Sequence, residues 1–297
     1  MSSTIPDRVR DAAAFFLGDL GAAAWVRAAE ATRADLLKRW NLEPGEPFTA
    51  GVASLCLPCR DRQGRQLVLK IPIEPEIGRL EGDALRCLAK TDAAPALLDN
   101  DERSGALLIT YVDGVEAYRP QGAAGEVAAL ENLLERLRSA STEGLPTLDR
   151  NLRMRTRWAN DRFSLPENLE GSAFLKTAES FTGPLLETSR YEFVHGDLQA
   201  KNILVARDHL ISIDPFACIG DRLFDAALWN VMLPGPQPID LVLKQFSGGI
   251  NSPRLLAWAW VLAAIELRPY LPEHAKRLRS FLLTYQEQAT LYVESLA

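Results

Sequence analysis

Asp197 and Asn202 stand five residues apart in the stretch His195-Gly-Asp-Leu-Gln-Ala-Lys-Asn-Ile-Leu204, and a further acid, Asp214, closes the apolar run Leu210-Ile-Ser-Ile213 twelve positions later. Phosphoryl transfer asks for such a set: one carboxylate to orient and deprotonate an attacking hydroxyl, and oxygen ligands for the magnesium that bridges the phosphates. By type and spacing, Asp197 suits the first task, and Asn202 and Asp214 suit the second. An isolated Asp-x4-Asn pair is as readily a turn, because both residues favour turns. Here the pair is preceded by His195-Gly196 and followed by the aliphatic Ile203-Leu-Val205, and the last acid ends a strand-like run. The set in register, more than any one member, points to a site.

A second cationic element is needed upstream to hold the nucleotide phosphates. After Pro47 the hydrophobic pattern changes to that of a β-hairpin: Phe48 to Cys59, a turn at Asp61-Arg-Gln-Gly64, then Gln66-Leu-Val-Leu-Lys-Ile71. Lys70 sits near the end of the second strand, where a kinase places the lysine that pairs the α- and β-phosphates of ATP. Glu81, opening a helical segment that runs to Lys90, is its expected partner; Glu74 and Glu76 are rivals, but Pro72 and Pro75 imply an extended turn around them. The phosphate loop falls near Thr49-Ala-Gly51-Val-Ala-Ser54, where Gly51, backbone amides and the Ser54 hydroxyl are the candidate contacts. No Gly-x-Gly-x-x-Gly occurs, and Gly51 serves equally well as a bulge glycine. A strand from Gly105 to Val112 follows, and the backbone from Thr110 to Val112 is the candidate adenine edge.

Two helices are expected over residues 6–41, with Ala12, Phe15, Phe16, Leu20, Trp25, Leu36, Leu37 and Trp40 inward. Helices are also expected over Gly125–Ser139, between Arg153 and Thr188, and from Pro238 onward. Arg153, Arg155 and Arg157 alternate as a solvated or salt-bridged face would, and Trp258 and Trp260 are packing residues. The division at Tyr111-Val-Asp-Gly114 gives residues 1–112 as N-terminal helices and nucleotide-binding lobe, and 113–297 as a helical lobe with the catalytic loop and acceptor site.

The composition excludes several classes. The 297 residues, 47% hydrophobic and 24% charged, suffice for proper cores, and a net charge of −6 speaks against nucleic acid, which demands a basic surface. No uninterrupted run of eighteen apolar residues exists, and Leu255–Ile265 reads as a buried helix, so no membrane partner and a cytoplasmic location are expected. Cys56-Leu-Pro-Cys59 lacks a second pair or a histidine spacing, and the two thiols are expected to be free.

With these residues placed, the chain resembles the aminoglycoside phosphotransferases, and within them the streptomycin 6-kinase and hydroxyurea phosphotransferase branch. The carrying elements are Val194-His-Gly-Asp-Leu198, Asn202-Ile-Leu, Ile213-Asp-Pro215 with Gly220-Asp-x-x-x-Asp225-x-Ala, Val68-Leu-Lys-Ile-Pro72 and Glu81-x-x-Ala-Leu85. The metal acid is followed by Pro215-Phe216, so the Asp-Phe-Gly switch of regulated protein kinases is missing and a small-molecule acceptor is expected. The resemblance implies an α+β, bilobal protein-kinase-like fold, with a small antiparallel-sheet N-lobe and a larger, mainly helical C-lobe. It implies ATP and Mg²⁺ as cofactors, and transfer to a hydroxyl of a cationic, streptomycin-like acceptor. A metabolite hydroxyl is the alternative acceptor, and an inactive nucleotide-binding scaffold the alternative class. Carried across, Asp197 is the base, Asn202 and Asp214 the magnesium ligands, Lys70 the phosphate grip oriented by Glu81, Asp225 a structural acid and His195 a brace. Gln199 replaces the family's usual histidine. Asp221 and Glu266 are acids that could meet a guanidinium or ammonium acceptor, though salt bridges or exposed charges are the more frequent role for each taken singly.

Overall fold

The structure is a computed structural model that describes residues 5–49, 53–112, 115–117, 120, 122–163, 169–206, 209–246 and 252–296. The chain divides into two units, Met1–Ala89 with Pro95–Asp113, and Lys90–Ala94 with Gly114–Ala297. Lys90–Ala94 goes with the second unit because the Ser212 amide and hydroxyl donate to the Ala93 carbonyl at 2.8 and 2.9 Å.

The first unit runs α1 (Asp7–Arg39), β1 (Glu43–Pro44), β2 (Ser54–Arg60), β3 (Gln66–Pro72), α2 (Pro75–Leu88), β4 (Leu97–Asp101) and β5 (Ala106–Thr110). The five strands form one antiparallel sheet in the order β1-β2-β3-β5-β4. Asp61 makes the expected hairpin turn, its Oδ1 accepting the Gln63 and Arg65 amides at 2.9 Å each. Alternate residues Leu55, Leu57 and Cys59 of β2, and Leu67, Leu69 and Ile71 of β3, are buried with Val9, Ala13, Trp25, Ala29 and Leu36 of α1 in one core. The period-two pattern of the strands thus meets one stripe of the helix.

Gly18 (φ 70°, ψ 168°) breaks α1 into the two helical stretches expected. Part of the inward assignment is overturned. Phe15 and Leu20 are 85% and 91% exposed and Phe16 is exposed too: the buried stripe before Gly18 runs Val9, Ala12 and Ala13, which leaves Phe15 off it and ends before Phe16, and Leu20 follows the break. Among the described residues α1 is the one helix long and apolar enough to cross a membrane; its buried stripe lies in the core of this unit. Helix α2 starts at Pro75, six residues before the expected Glu81. Glu74 is extended, as a residue before proline should be, but Pro75 occupies the first helical turn, where its missing N–H matters little.

The second unit runs β6 (Val115–Ala117), α3 (Ala124–Arg138), α4 (Leu148–Phe163), α5 (Leu169–Glu187), β7 (Glu192–Val194), a 3₁₀ turn (Ala200–Asn202), β8 (Ile203–Ala206), β9 (His209–Ser212), β10 (Cys218–Gly220), α6 (Leu223–Val231), α7 (Ile239–Leu243), α8 (Pro253–Ile265) and α9 (Pro272–Glu294). Two small antiparallel sheets, β6-β8-β9 and β10-β7, carry the central loop. Helices α6 and α8 are apolar on nearly every side, which is the signature of helices enclosed by others. Ser252 caps α8 by accepting the Leu255 amide, with Pro253 in its first turn. Trp258 and Trp260 are fully buried, their indole N–H groups satisfied by the Asp221 carboxylate and the Leu282 carbonyl at 2.8 and 3.0 Å. The α+β composition matches the expectation: a sheet-rich N-terminal unit, then a mainly helical one.

Candidate active site

Strand β7 delivers the chain to His195, and β10 returns beside it in the register Cys218↔Val194. Between β7 and Asp197 the chain reverses at Gly196, whose φ of 76° lies in the left-handed region. The turn is pinned from behind by Asp225 of α6, which accepts the His195 amide at 2.6 Å and the Gly196 amide at 3.0 Å. Burial pushes the Asp225 carboxyl up to about 7, and these two amides only partly offset it. His195 is fully buried; its Nδ1 accepts the Asp197 amide at 3.3 Å, which leaves Nε2–H to donate to the Ile213 carbonyl at 3.1 Å. Burial pulls its pKa down to about 4, so the imidazole is a neutral brace.

The candidate oxygen ligands follow on the same loop. The Ile213 amide donates to the Asn202 carbonyl at 2.9 Å, so Asp214 follows directly on a residue bonded to Asn202. The Asn202 side-chain amide donates to the Asp197 carbonyl and to Asp197 Oδ2 at 2.9 and 2.8 Å, which turns its own oxygen toward other partners. Asp214 holds φ 54°, a conformation uncommon outside glycine and one that redirects the chain as β9 ends. An amide oxygen and a carboxylate are the hard donors magnesium takes, so the chemistry of these residues fits the ion.

Asp197 itself is 21% exposed at the side chain, enough to be met by a substrate. Its Oδ1 accepts Arg155 Nη2 at 2.7 Å and Gln199 Nε2 at 2.5 Å. Burial works to raise its pKa; the Arg155 charge, Lys201 and the hydrogen bonds from Arg155 and Gln199 outweigh burial and hold the group below the ordinary carboxylate value. The group therefore stands ready as an anion. Gln199, in the position of the family histidine, keeps a hydrogen bond to the acid without adding charge.

In the first unit Lys70 and Glu81 meet as expected, with Nζ 2.7 Å from Oε1 and 2.6 Å from Oε2, both side chains buried. Strand β3 and helix α2 bring them together, and the early start of α2 makes Glu81 a mid-helix residue. Ser54 is buried at the first position of β2, opposite Pro72; Gly51 lies outside the described residues. At the strand end, the Thr110 amide donates to the Ala96 carbonyl at 3.0 Å and the Tyr111 amide to Gln66 at 3.2 Å. Both are engaged in the sheet, and Val112 carries the first amide beyond it.

The sequence pattern of the phosphotransferase enzyme family matches residues 46–260, which span the Lys70–Glu81 pair, the Asp197 loop and Asp214. The chain belongs to the phosphotransferase enzyme family. It is similar to the streptomycin 6-kinase of Streptomyces griseus, 27% identical over 242 residues that cover 80% of this chain and 76% of that one. Its fold is that of the choline kinase LicA from Streptococcus pneumoniae (TM-score 0.62, 11% identity, covering 87% of this chain and 100% of the other). It is also that of the aminoglycoside phosphotransferase APH(4)-Ia, in a thermostable mutant with ADP and hygromycin B (TM-score 0.57, 14% identity, covering 88% and 97%). As a family member, the protein is an ATP-dependent phosphotransferase that acts on a hydroxyl group, with Mg²⁺ as the ion that accompanies the nucleotide.

Two features of this phosphotransferase escape a sequence reading. Arg155, expected on a solvated or salt-bridged face, is buried and ion-paired to Asp197. Asn151, one turn earlier, donates to the Gly196 carbonyl at 3.2 Å and accepts from Arg155 Nε at 2.9 Å. The signal lay in helical spacing: Leu148, Asn151, Leu152, Arg155, Ala159 and Phe163 form the buried stripe of α4, and Arg155 is the lone cation on it. The acids that a cationic acceptor could meet take the salt-bridged role already weighed for them. Asp221 holds Arg254 and the Trp258 indole, while Glu266 holds Arg155 at 2.6 Å and Arg268 at 2.9 Å. Both are internal salt bridges.

Proposed function

We propose that this phosphotransferase moves the γ-phosphoryl group of ATP to a hydroxyl of an aminoglycoside-type antibiotic resembling streptomycin, with Asp197 as the base. The observation that carries the reading is the fixed, partly exposed Asp197 carboxylate, one hydrogen bond from Asn202, whose carbonyl accepts the amide of Ile213 just before Asp214. The acceptor class is supported by the 27% identity to a streptomycin 6-kinase.

In this reading Asp197 aligns the acceptor hydroxyl and takes its proton as the hydroxyl oxygen bonds to the γ-phosphorus. The bond from that phosphorus to the β-phosphate oxygen breaks, and ADP leaves. Asn202 and Asp214 would hold magnesium, which when bound would neutralise charge on the phosphates. Lys70, oriented by Glu81, engages the α- and β-phosphates, with Gly51 and Ser54 near the phosphate loop and the Thr110–Val112 backbone along the adenine edge. His195 and Asp225 fix the loop without exchanging protons with substrate. Most of the rate then comes from positioning and preset electrostatics.

The test is incubation of the protein with Mg-ATP and a panel of streptomycin, other aminoglycosides, hydroxyurea, amino alcohols and sugars, with products read by mass. Streptomycin bearing one added phosphoryl group is the expected product, and Asp197→Asn should abolish it while leaving nucleotide binding nearly intact. A different phosphorylated member would replace the acceptor, and wild-type turnover by Asp197→Asn would remove the base assignment.

A further inference from the structure

The geometry points to Arg155 as a positioning residue for the transfer: with Gln199 it engages Oδ1 of Asp197, so that Oδ2 is the oxygen that receives the acceptor's proton. This rests on Asp197 being the base.

The two carboxylate oxygens are not equivalent. Oδ1 accepts two close donors, Arg155 Nη2 at 2.7 Å and Gln199 Nε2 at 2.5 Å. Oδ2 accepts one, Asn202 Nδ2 at 2.8 Å, with the Lys201 ammonium further off at 3.7 Å on an exposed side chain. A carboxylate oxygen has two lone-pair directions, so Oδ1 is saturated and Oδ2 keeps one for a hydroxyl. A free Asp side chain would exchange its oxygens by rotating; donors on both sides stop that rotation. The O–H proton thus passes to Oδ2 as the new O–P bond forms and the bond to ADP breaks.

Arg155 is built for this duty. Its fork spreads over four acceptors: Asn151 Oδ1 at 2.9 Å, Glu266 Oε1 at 2.6 Å, the Gly196 carbonyl at 2.7 Å and Asp197 Oδ1. One side chain therefore fixes both the backbone turn before the base and the base itself. A buried guanidinium needs a counter-charge, and Glu266, at the C-terminal end of α8, supplies it with Arg268 behind. The result is an alternating row, Arg268, Glu266, Arg155, Asp197, that reaches from α8 across α4 to the loop. Lysine, a point charge on a flexible stem, cannot reproduce the planar four-way grip.

The decisive variant is Arg155→Met with Glu266→Met, because replacing a buried ion pair by apolar side chains commonly spares stability where removing one partner does not. Streptomycin with Mg-ATP is the assay, and slow transfer to water without acceptor is the second readout. The expected result is a fall in kcat of about 50-fold or more, with the dissociation constant for Mg-ATP within threefold and the melting temperature little changed. Arg155→Lys should fall in between, about five- to thirtyfold down in kcat with KM preserved, and it decides the question if the double variant fails to fold. A folded double variant, or in its absence Arg155→Lys, with kcat within threefold of wild type would reduce Arg155 to a core ion pair and overturn the proposal. Asp197→Asn, run alongside, separates the two failures: retained transfer there removes the base, whereas a dead Asp197→Asn with an active double variant removes only the role of Arg155.

Discussion

Replacing Gly196 by alanine tests the loop geometry with a single methyl group. At φ 76° any L-residue with a Cβ is strained, which costs about 1 kcal/mol. The added Cβ would also lie 2.1 Å from the Phe216 carbonyl oxygen and 2.7 Å from Asn151 Nδ2, where real contacts begin near 3.0 Å. The carbonyl belongs to backbone leading into β10, so it cannot swing away as a side-chain tip would, and the loop must move by about 1 Å. Overpacking of this kind adds roughly 1–3 kcal/mol, for a total of about 3 kcal/mol. With an unfolding entropy of ~0.6 kcal/mol/K for a chain of this length, that is a fall of roughly 5 °C in Tm. A displacement of ~1 Å at the base is enough for about a 100-fold loss in kcat. Gly144→Ala is the control, since Gly144 has φ 78° but open space around its Cβ position, so it isolates the conformational part at about 1 kcal/mol. Scanning calorimetry and steady-state kinetics on both variants give the comparison. Were Gly196→Ala to lose no more Tm than Gly144→Ala and keep kcat within threefold, the claim that this turn sets the base would be refuted.

Lys70→Met strands the Glu81 carboxylate in a buried site, so it should destabilise the protein by about 3–5 kcal/mol and weaken Mg-ATP binding at least tenfold. Adding Glu81→Leu should return most of the Tm without restoring the nucleotide affinity, measured by calorimetric titration. His274 is held down to about 4 by burial, then by Arg277 and Arg268, against an ordinary value near 6.5. The folded state takes up its proton later than the unfolded one, so this group's contribution is full above pH 6.5 and is lost as pH falls toward 4. His274→Gln should therefore narrow the Tm difference between pH 7.5 and pH 5, and an unchanged difference would show that His274 titrates alike in both states.

The elements closest in sequence to the chemistry were the most legible. Asp197 and Asn202 lie within one loop, so their spacing alone brings them together, and Lys70 with Glu81 needs only one strand and the next helix. Legibility failed where the partner came from elsewhere in the chain. Arg155 is 42 residues from Asp197 and 111 from Glu266, and the alternation of Arg153, Arg155 and Arg157 masked its place on the apolar stripe of α4. Arg153 shows why period two misleads on a helix: it stands largely in solvent, paired with Asp149 one turn back, while Arg155 points inward. The exposed Phe15, Phe16 and Leu20 failed for a local reason: the buried stripe of the first helical stretch ends at Ala13, and Gly18 breaks the helix before Leu20.

The internal pairing of Asp221 and Glu266 bears on how any cationic acceptor would be held. Each is about 95% buried and engaged by arginine, Asp221 with Arg254 and Glu266 with Arg155 and Arg268. A ligand guanidinium could take either carboxylate only by displacing an arginine that would then lack its counter-charge, and removing one partner of a buried pair costs about 3–5 kcal/mol. That exceeds what one new ion pair returns at a partly exposed site. These acids therefore belong to the scaffold: Glu266 holds Arg155, which also bonds Asp197, and Asp221 anchors α8 through Arg254 and Trp258. The positive charge of any cationic acceptor would have to be met by other groups, while Arg155 and Gln199 hold Oδ1 of the Asp197 carboxylate.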